Sequence, residues 1–465
     1  MALSVTGIRA KGLQKEKTGW AIRGWFLGAI LIRLLLIPIS HHWDIQTWYS
    51  MFADFNFGRS PYDTMQTLSF ETRLEYGYLY YEYFAYPPGL IYIYWPIAKL
   101  YALLDPNLNY SLGAPFSLVA PTTTWYFNYF FKIPVMLADL GIIVLLWKMG
   151  GSDIAKRYAL NPYILVVMIW MFDPMMVFSL LWTVYSLERK KPYQAALALA
   201  LGTVIKYVPL FILPAILLYL VRQKFTVFQL LKFCMVFGVV CAGLIIPFAK
   251  GTAFTFEFQT ARVGGGLTWQ HLFIFLNAWF PAVLNDFKAT YISATVGAFI
   301  LPVGMLIVYA YTYRRNLTIN STVLVTVLGY LAFTKIVNEV YASAVIPFIL
   351  LELQRNPHPV KERYYKVFWS IPLAWIILNV PLFQFFVNPL ANMDQLNYLN
   401  VRSITLLFDF KFKALVFAVV GTFFTLLCLY AIPRFSVSLN DDKKLAASSE
   451  STHANVTQLE EMSSV

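Results

Sequence analysis

Charged side chains are scarce in this 465-residue sequence, because Asp, Glu, Lys and Arg together make up only 13% of it. A soluble domain averages about 25% charged residues. Hydrophobic residues account for 59% of the chain. These values exclude a soluble globular protein and an intrinsically disordered regulator, and they are typical of a protein that spans a membrane many times.

Cysteine is also rare, with three residues in the whole chain. All three lie inside apolar runs, at Cys234, Cys241 and Cys428. This pattern excludes a disulfide framework and a cysteine-based metal site, so we expect the thiols to lie in the core or against lipid. A glycine-rich fold for sugar nucleotides is likewise missing.

The net charge of +12 would suit nucleic acid or anionic lipid. The basic residues, however, stand in short clusters between apolar stretches, as in the cytoplasmic loops of multi-pass membrane proteins. We therefore predict no nucleic-acid partner. The clusters are Arg9/Lys11/Lys15/Lys17, Lys148/Lys156/Arg157, Arg189/Lys190/Lys191, Arg222/Lys224, Arg314/Arg315, Arg355/Lys361/Arg363 and Arg434/Lys443/Lys444.

The first cluster precedes an apolar run from about residue 20 to residue 39, which is too long for the core of a cleavable signal. We predict a retained first span, with both termini cytoplasmic and His41 onward outside. The membrane is either a cell membrane or that of the endoplasmic reticulum.

Two apolar stretches between basic clusters are interrupted, one at Phe172-Asp173-Pro174 and the other from Lys206 to Pro209. Each half has roughly 13–15 residues, short of the ~20 that a full span needs. Broken helices are tolerated where they line a protein cavity. The breaks therefore predict a site near the outer membrane surface.

Residues 86–104 are long enough to cross, but counting them would place the next two basic clusters outside. We predict a re-entrant or outer-leaflet helix there; a true span with inverted downstream charges is the alternative. The predicted fold is an all-α helical bundle with about 12 crossings. Its parts are a cytoplasmic N-terminus (1–19), a catalytic membrane module (20–354, with outer loops 41–123 and 250–285), C-terminal helices (355–435) and a disordered cytoplasmic tail (436–465).

The first outer loop is rich in acids: Asp44, Asp54, Asp63, Glu71, Glu75, Glu82 and Asp105. Most of them suit a solvated, interfacial loop. Asp44 differs, because it follows the first span directly, among His42 and several aromatic residues. A carboxylate at that place can take a proton from a hydroxyl while a second substrate arrives through the bilayer.

The second outer loop carries Arg262, then Gly264, Gly265 and Gly266, then Trp269 and His271. Glycines beside an arginine suit close backbone approach to a phosphate with the guanidinium as a clamp. A glycine hinge with an interfacial arginine is the alternative.

Several ionisable residues lie within apolar segments, where a charge costs roughly 2.5–3.5 kcal/mol and usually faces a cavity or a site. Lys206 stands at one helix break, and Lys335, Asn338, Glu339 and Tyr341 stand at another. We interpret Lys132 and Asp139, inside one span, as packing locks that each meet another helix. Arg23 and Arg33 are expected to extend toward opposite ends of the first span.

Together these residues resemble the polytopic glycosyltransferases of the C superfamily (GT-C), and in particular the mannosyltransferase family that begins GPI-anchor synthesis, with its archaeal and bacterial relatives. Asp44-Ile-Gln-Thr-Trp48, followed by Gly58-Arg59-Ser60-Pro61-Tyr62, is similar to the first loop of that family. Further similar elements are Tyr86-Pro87-Pro88, Lys132 with Ala138-Asp139-Leu140, Asn161-Pro162 with Asp173, Lys206-Tyr207-Val208-Pro209 with Leu213-Pro214, and Thr334-Lys335-Ile336-Val337 with Tyr341.

The resemblance implies transfer of a hexose, by family mannose, from a polyprenyl- or dolichyl-phosphate donor to a lipid-linked, polysaccharide or protein acceptor. Asp44 is the implied catalytic base, and Arg262, Lys206 and Lys335 are candidates for the donor phosphate. Candidate substrate-binding residues are His42, Arg59, Tyr86, Asp173, Trp269, His271, Asn338, Glu339 and Tyr341.

The family often has Asp-x-Asp where this chain has His42-Trp43-Asp44. We therefore predict no cofactor and no metal site, and dependence on a divalent metal stays open. A membrane transporter or a flippase for lipid-linked sugars is the alternative function, and a non-catalytic subunit of a glycosylation complex is a third.

Overall fold

The computed structural model describes residues 19–39, 45–62, 84–105, 125–253, 255, 264–379 and 410–439. Almost all of the secondary structure in these ranges is helical. The helices of the first half are α1 (Gly19–Leu36), α2 (Ile45–Asn56), α3 (Gly89–Ala102), α4 (Trp125–Gly150), α5 (Ser152–Ala159), α6 (Pro162–Trp170), α7 (Asp173–Glu188), α8 (Pro192–Ile205) and α9 (Val208–Arg222).

The second half continues with helices and one very short parallel sheet, in which the two-residue strand β1 pairs with β2. Short 3-10 turns follow α1, α10 and β2. The elements are α10 (Val227–Ile245), β1 (Gly265–Gly266), α11 (His271–Trp279), α12 (Asp286–Arg315), α13 (Ile319–Phe333), β2 (Ile336–Val337), α14 (Ile346–Arg355), α15 (Pro359–Asn379) and α16 (Phe410–Arg434).

Four described helical segments are long and apolar enough to cross a membrane: 126–150, 227–253, 288–315 and 411–434. Helices α6 and α7 form a further candidate, bent by 117° at the break between them. The chain is thus an all-α membrane protein, as its composition predicts. The number of about 12 crossings stays a prediction.

Helix α3 covers the main part of the segment predicted to be re-entrant. Its 14 residues extend about 21 Å, which is less than the roughly 30 Å of a bilayer core. It exposes large side chains, Trp95 among them, and Lys99 in its last turn donates to the Asn56 carbonyl oxygen of α2. A short helix held against α2 is compatible with a re-entrant segment, which remains a prediction.

Local sequence explains where the broken helices start. The Asn161 side chain accepts hydrogen bonds from the first turn of α6, which has proline at its first position. Helix α7 has Pro174 and α9 has Pro209 in the first turn. Proline is favoured there, since the first helical N–H groups have no partner within the helix. Each interruption is therefore a helix start encoded by its own proline.

Helix α7 has an interruption at one end and an ion pair at the other. It runs from Asp173, at the break, to Glu188, which forms an ion pair with Arg355. A second ion pair joins Arg157 to Glu362 over 2.6 Å. Two of the predicted cytoplasmic basic clusters are thus held by ion pairs to other helices, and the side of the membrane on which the clusters lie stays a prediction.

A buried ion pair joins α1 to α4, and it corrects one prediction. Arg33 does not extend to the end of the first span: it is fully buried, and its Nε donates to Asp139 over 2.5 Å. The other carboxylate oxygen accepts from the Tyr158 hydroxyl. Packing of α1 against α4 removes water from Arg33, and the carboxylate compensates for that loss. Asp139 is therefore a lock between helices, as predicted.

The first residues of the predicted disordered tail are ordered. The Val437 carbonyl oxygen accepts from Thr318 N–H, and Leu439 N–H donates to Asn316. The prediction of disorder is thus wrong for residues 436–439, because backbone hydrogen bonds to the loop between α12 and α13 hold them.

Candidate functional site

The breaks before α7 and α9 meet through one ion pair. Lys206 ends α8 in an extended conformation, and Asp173 is the first residue of α7. Lys206 Nζ lies 2.7 Å from Asp173 Oδ1; the aspartate side chain is fully buried, whereas 11% of the lysine side chain is exposed. The structure thus brings together two of the predicted site residues, 33 positions apart.

Aromatic rings surround this pair. Lys206 Nζ lies 3.8 Å from the ring centroid of Tyr341 and 5.5 Å from that of Phe172. Tyr86 contacts Phe172 edge-on, and Trp48 stacks on Tyr86 with centroids 5.0 Å apart. Aromatic faces attract a cation and exclude water from it. Tyr86 and Tyr341, both predicted site residues, therefore belong to one cluster with Lys206.

The cluster is continuous with the helix that follows the predicted base. Trp48 lies in α2, which begins at Ile45, directly after Asp44 in the sequence. Asp44, His42 and Arg262 lie outside the described residues. Trp48, the member of this aromatic wall in α2, stands four positions after Asp44 in the sequence.

The Gly-Arg-Ser-Pro-Tyr segment is fixed by its tyrosine. Tyr62 donates through its hydroxyl to the Tyr86 carbonyl oxygen over 2.6 Å, and its ring packs on Gly251. Arg59 is exposed, with its guanidinium 5.8 Å from the Phe57 ring centroid. Arg59 thus contacts Phe57, a neighbour in its own segment.

The glycine loop lies against the third break. Gly265 N–H donates to the Lys335 carbonyl oxygen, and Leu267 N–H donates to that of Val337. Gly266 has a φ of +82°, and a Cβ there would lie 2.2 Å from the Val337 carbonyl oxygen. These glycines thus make a close backbone approach to β2, and their predicted approach to a phosphate beside Arg262 stays a prediction.

Trp269 and His271 attach the second outer loop to its neighbours. Trp269 N–H donates to Thr425 Oγ1 of α16, and the His271 ring lies edge-on to Trp375 and Phe417. Burial, reinforced by the charge of Lys413 and opposed by a backbone hydrogen bond to Gly266, lowers the pKa of His271 to about 4. Its imidazole is therefore neutral at physiological pH.

The third break carries the remaining predicted residues, which are Lys335, Asn338, Glu339 and Tyr341. Asn338 precedes the turn Glu339–Ala344, and the Glu339 carbonyl oxygen accepts from the Tyr163 hydroxyl over 2.5 Å. The Lys335 side chain lies against α12, 3.0 Å from where a Cβ on Gly297 would stand. Tyr341, a third residue of this break, is in contact with Lys206.

Lys132, which the sequence predicts as a packing lock and not as a site residue, also belongs to this region. Only 2% of this lysine is exposed, and its Nζ lies 4.8 Å from the Phe131 ring centroid. Within the described ranges, this ammonium makes no hydrogen bond. Asp173 is the group of opposite charge that acts on it electrostatically. A lysine in the middle of an apolar span was the available signal, although the sequence does not reveal its neighbour.

The arrangement combines buried ammonium groups, one carboxylate and aromatic faces at the meeting point of interrupted helices. Ammonium groups shielded from water bind anions strongly, because little solvent competes with the ligand. The site therefore suits an anionic group attached to a hydrophobic molecule. No protein-family model matches this chain, and no curated protein matches it either.

Proposed function

We propose that this protein is an integral membrane glycosyltransferase that transfers a hexose, most simply mannose, from a polyprenyl- or dolichyl-phosphate donor. The acceptor is a hydroxyl at the extracytoplasmic or lumenal side. The observation that carries the proposal is the Lys206–Asp173 pair at two facing helix breaks. Its aromatic wall leads to the helix that follows Asp44.

In the proposed reaction Asp44 accepts the proton of the acceptor hydroxyl while that oxygen attacks the anomeric carbon. The bond from this carbon to the phosphate oxygen breaks, the configuration inverts, and the lipid phosphate leaves with the electron pair. Because a phosphate is already a good anion, catalysis consists mainly of positioning and charge stabilisation. We assign the stabilisation of that charge to Lys206, whose ammonium lies at the helix break, with Arg262 and Lys335 as further candidates.

A lipid-linked donor agrees with the place of the site. The donor's chain dissolves in the bilayer, whereas its head group needs a polar, water-poor environment at the membrane surface. Interrupted helices provide that environment, since their ends carry polar groups that lipid cannot satisfy. Asp173 and Lys206 stand at such ends.

A transporter or flippase is the second candidate, and the buried Lys132 inside α4, which makes no hydrogen bond among the described residues, favours it. Ionisable residues inside membrane helices often mark a transport pathway. Such a protein would move its substrate without forming a new glycosidic bond.

The first prediction concerns Asp44. We expect Asp44→Asn to reduce transfer from radiolabelled polyprenyl-phosphate mannose about 10²–10⁴-fold, the usual contribution of a general base. Transfer is measured in membranes that contain equal amounts of each variant.

Asp63→Asn, which removes another acid of the same loop, is the matched control and should transfer like the wild type. Undiminished transfer by Asp44→Asn would exclude the base role. Movement of the lipid across the bilayer without any new glycoside would favour the transporter.

A further inference from the structure

The Lys206–Asp173 pair has a third charged neighbour in Lys132 of α4. Ring contacts connect the two lysines: Lys132 Nζ lies 4.8 Å from the Phe131 ring centroid, Phe131 packs on Trp48, and Trp48 contacts Phe172 beside Lys206. A buried ammonium is unfavourable unless a counter-ion neutralises it. A second protonated lysine beside the Lys206–Asp173 pair would therefore be stabilised by a further anion.

Its hydrogen bonds are incomplete too. Among the residues that the structure describes, Lys132 Nζ and Asp173 Oδ2 are buried and have no hydrogen-bond partner. The other buried carboxylate at α4 shows the contrast, because both oxygens of Asp139 are occupied, by Arg33 and by Tyr158. Asp139 has the contacts of a structural lock, whereas Lys132 and Asp173 retain free donor and acceptor capacity.

The cluster is accessible through Lys206. Its side chain is 11% exposed, whereas that of Asp173 is fully buried. The ring of Tyr341 lies beside the Lys206 ammonium. A ligand that reaches Lys206 therefore enters a water-poor site that contains a second ammonium.

We propose that Lys132 and Lys206 together bind a phosphate group, and that Asp173 is the resident counter-ion which phosphate displaces. An ammonium offers three N–H donors and no acceptor, which fits phosphate oxygens. The source of the phosphate rests on the proposed function: it is the head group of the lipid donor and of the lipid phosphate that leaves. Inorganic phosphate has the same chemistry, and the experiment separates the two.

The test measures binding of radiolabelled polyprenyl monophosphate to the purified full-length protein in phosphatidylcholine nanodiscs. We expect Lys132→Met to weaken binding roughly tenfold or more, the usual worth of a hydrogen bond to a charged group, and Lys132→Arg to restore part of it. Lys148→Met is the matched control, since Lys148 is an exposed lysine of the same helix, and it should bind like the wild type.

The variant Asp173→Asn tests independently whether Asp173 competes with phosphate. If the carboxylate competes with phosphate for the two lysines, its removal tightens binding; a purely structural Asp173 predicts weaker binding. Asp139→Asn controls for folding, because it should lower the folded fraction while binding per folded molecule stays unchanged. Normal affinity in Lys132→Met, or weaker binding in Asp173→Asn, would overturn the inference.

Competition identifies the ligand. Excess unlabelled polyprenyl monophosphate should displace the label, whereas polyprenol and inorganic phosphate at the same concentration should not. If inorganic phosphate displaced the label and unlabelled polyprenyl monophosphate did not, the claim that the bound phosphate belongs to a lipid would be wrong. Mannose transfer by the wild type together with normal lipid-phosphate binding in Lys132→Met would refute this inference and leave the proposed function intact. Conversely, Lys132→Met could bind the lipid phosphate more weakly, as expected, while the wild type transfers no sugar. That result would refute the proposed glycosyltransferase function and leave the phosphate site intact.

Discussion

At the scale of single residues, burial of an ionisable side chain can follow two routes. Either the side chain forms an ion pair with an oppositely charged group, or it stays neutral. Arg33 and Asp139 take the first route, since they form an ion pair within hydrogen-bonding distance. His271 takes the second route: its ring lies between aromatic neighbours with a cationic lysine nearby. The same loss of water thus produces an ion pair in one place and a neutral base in another.

The burial of His271 as a neutral imidazole predicts that the free energy of unfolding depends on pH. Burial lowers the pKa of His271 to about 4, against about 6.5 in an unfolded chain. Between these values the unfolded chain binds the proton and the folded chain does not, so this residue favours unfolding increasingly as the pH falls from 6.5 to 4. The effect reaches about 3 kcal/mol at the acid end.

We expect His271→Phe to unfold with a smaller dependence on pH over this range than the wild type, measured as the thermal midpoint in detergent. His358→Phe, which changes an exposed histidine, should retain the wild-type slope. If the thermal midpoint of His271→Phe depended on pH as steeply as that of the wild type, this imidazole would not contribute to the pH dependence of stability.

At the scale of elements, a sheet of two short strands connects two segments that are distant in the sequence. Two-residue strands have little stability of their own, so β1 and β2 depend on the fit of their backbones. That fit requires glycine at position 266, where φ is positive and the Val337 carbonyl oxygen occupies the place of a side chain. The pairing holds the second outer loop beside the break that carries Lys335.

We therefore expect Gly266→Ala to destabilise the protein by at least about 1–3 kcal/mol, the usual cost of a strained backbone position. Gly265→Ala is the matched control: its Cβ would have ordinary contacts, the nearest at 3.4 Å, so a smaller effect is expected. The measurement is the thermal midpoint of each variant in detergent. Equal midpoints for both variants would contradict the role assigned to position 266.

At the scale of the whole molecule, hydropathy and proline positions were sufficient to predict an all-helical membrane protein and the interruptions near Asp173 and Lys206. These features depend on residues close together in the chain. The pairs that build the site were beyond prediction from the residues alone, since Asp173 and Lys206 are 33 positions apart and Arg33 and Asp139 are 106 apart. For Lys132 the sequence predicted a partner on another helix, but not that this partner is Asp173.

The predicted topology places the first outer loop and the basic loops on opposite sides of the membrane, so cysteines introduced in them should be labelled from opposite sides. In a background with Cys234, Cys241 and Cys428 changed to alanine, Phe57→Cys should react with a membrane-impermeant thiol reagent applied outside. Lys191→Cys should react only after permeabilisation, because basic loops are retained in the cytoplasm. Both positions are exposed. Labelling of both from the same side would contradict the proposed orientation.

Helix α3 has a further consequence for the surrounding bilayer. Trp95, Leu100 and Leu103 are exposed on and just beyond a helix of about 21 Å, so any acyl chains beside it meet an apolar surface thinner than an ordinary bilayer. Such hydrophobic mismatch is relieved by local thinning or tilt. Thinning there would draw phospholipid head groups inward, and acyl-chain length would then become a variable that tunes how this protein works.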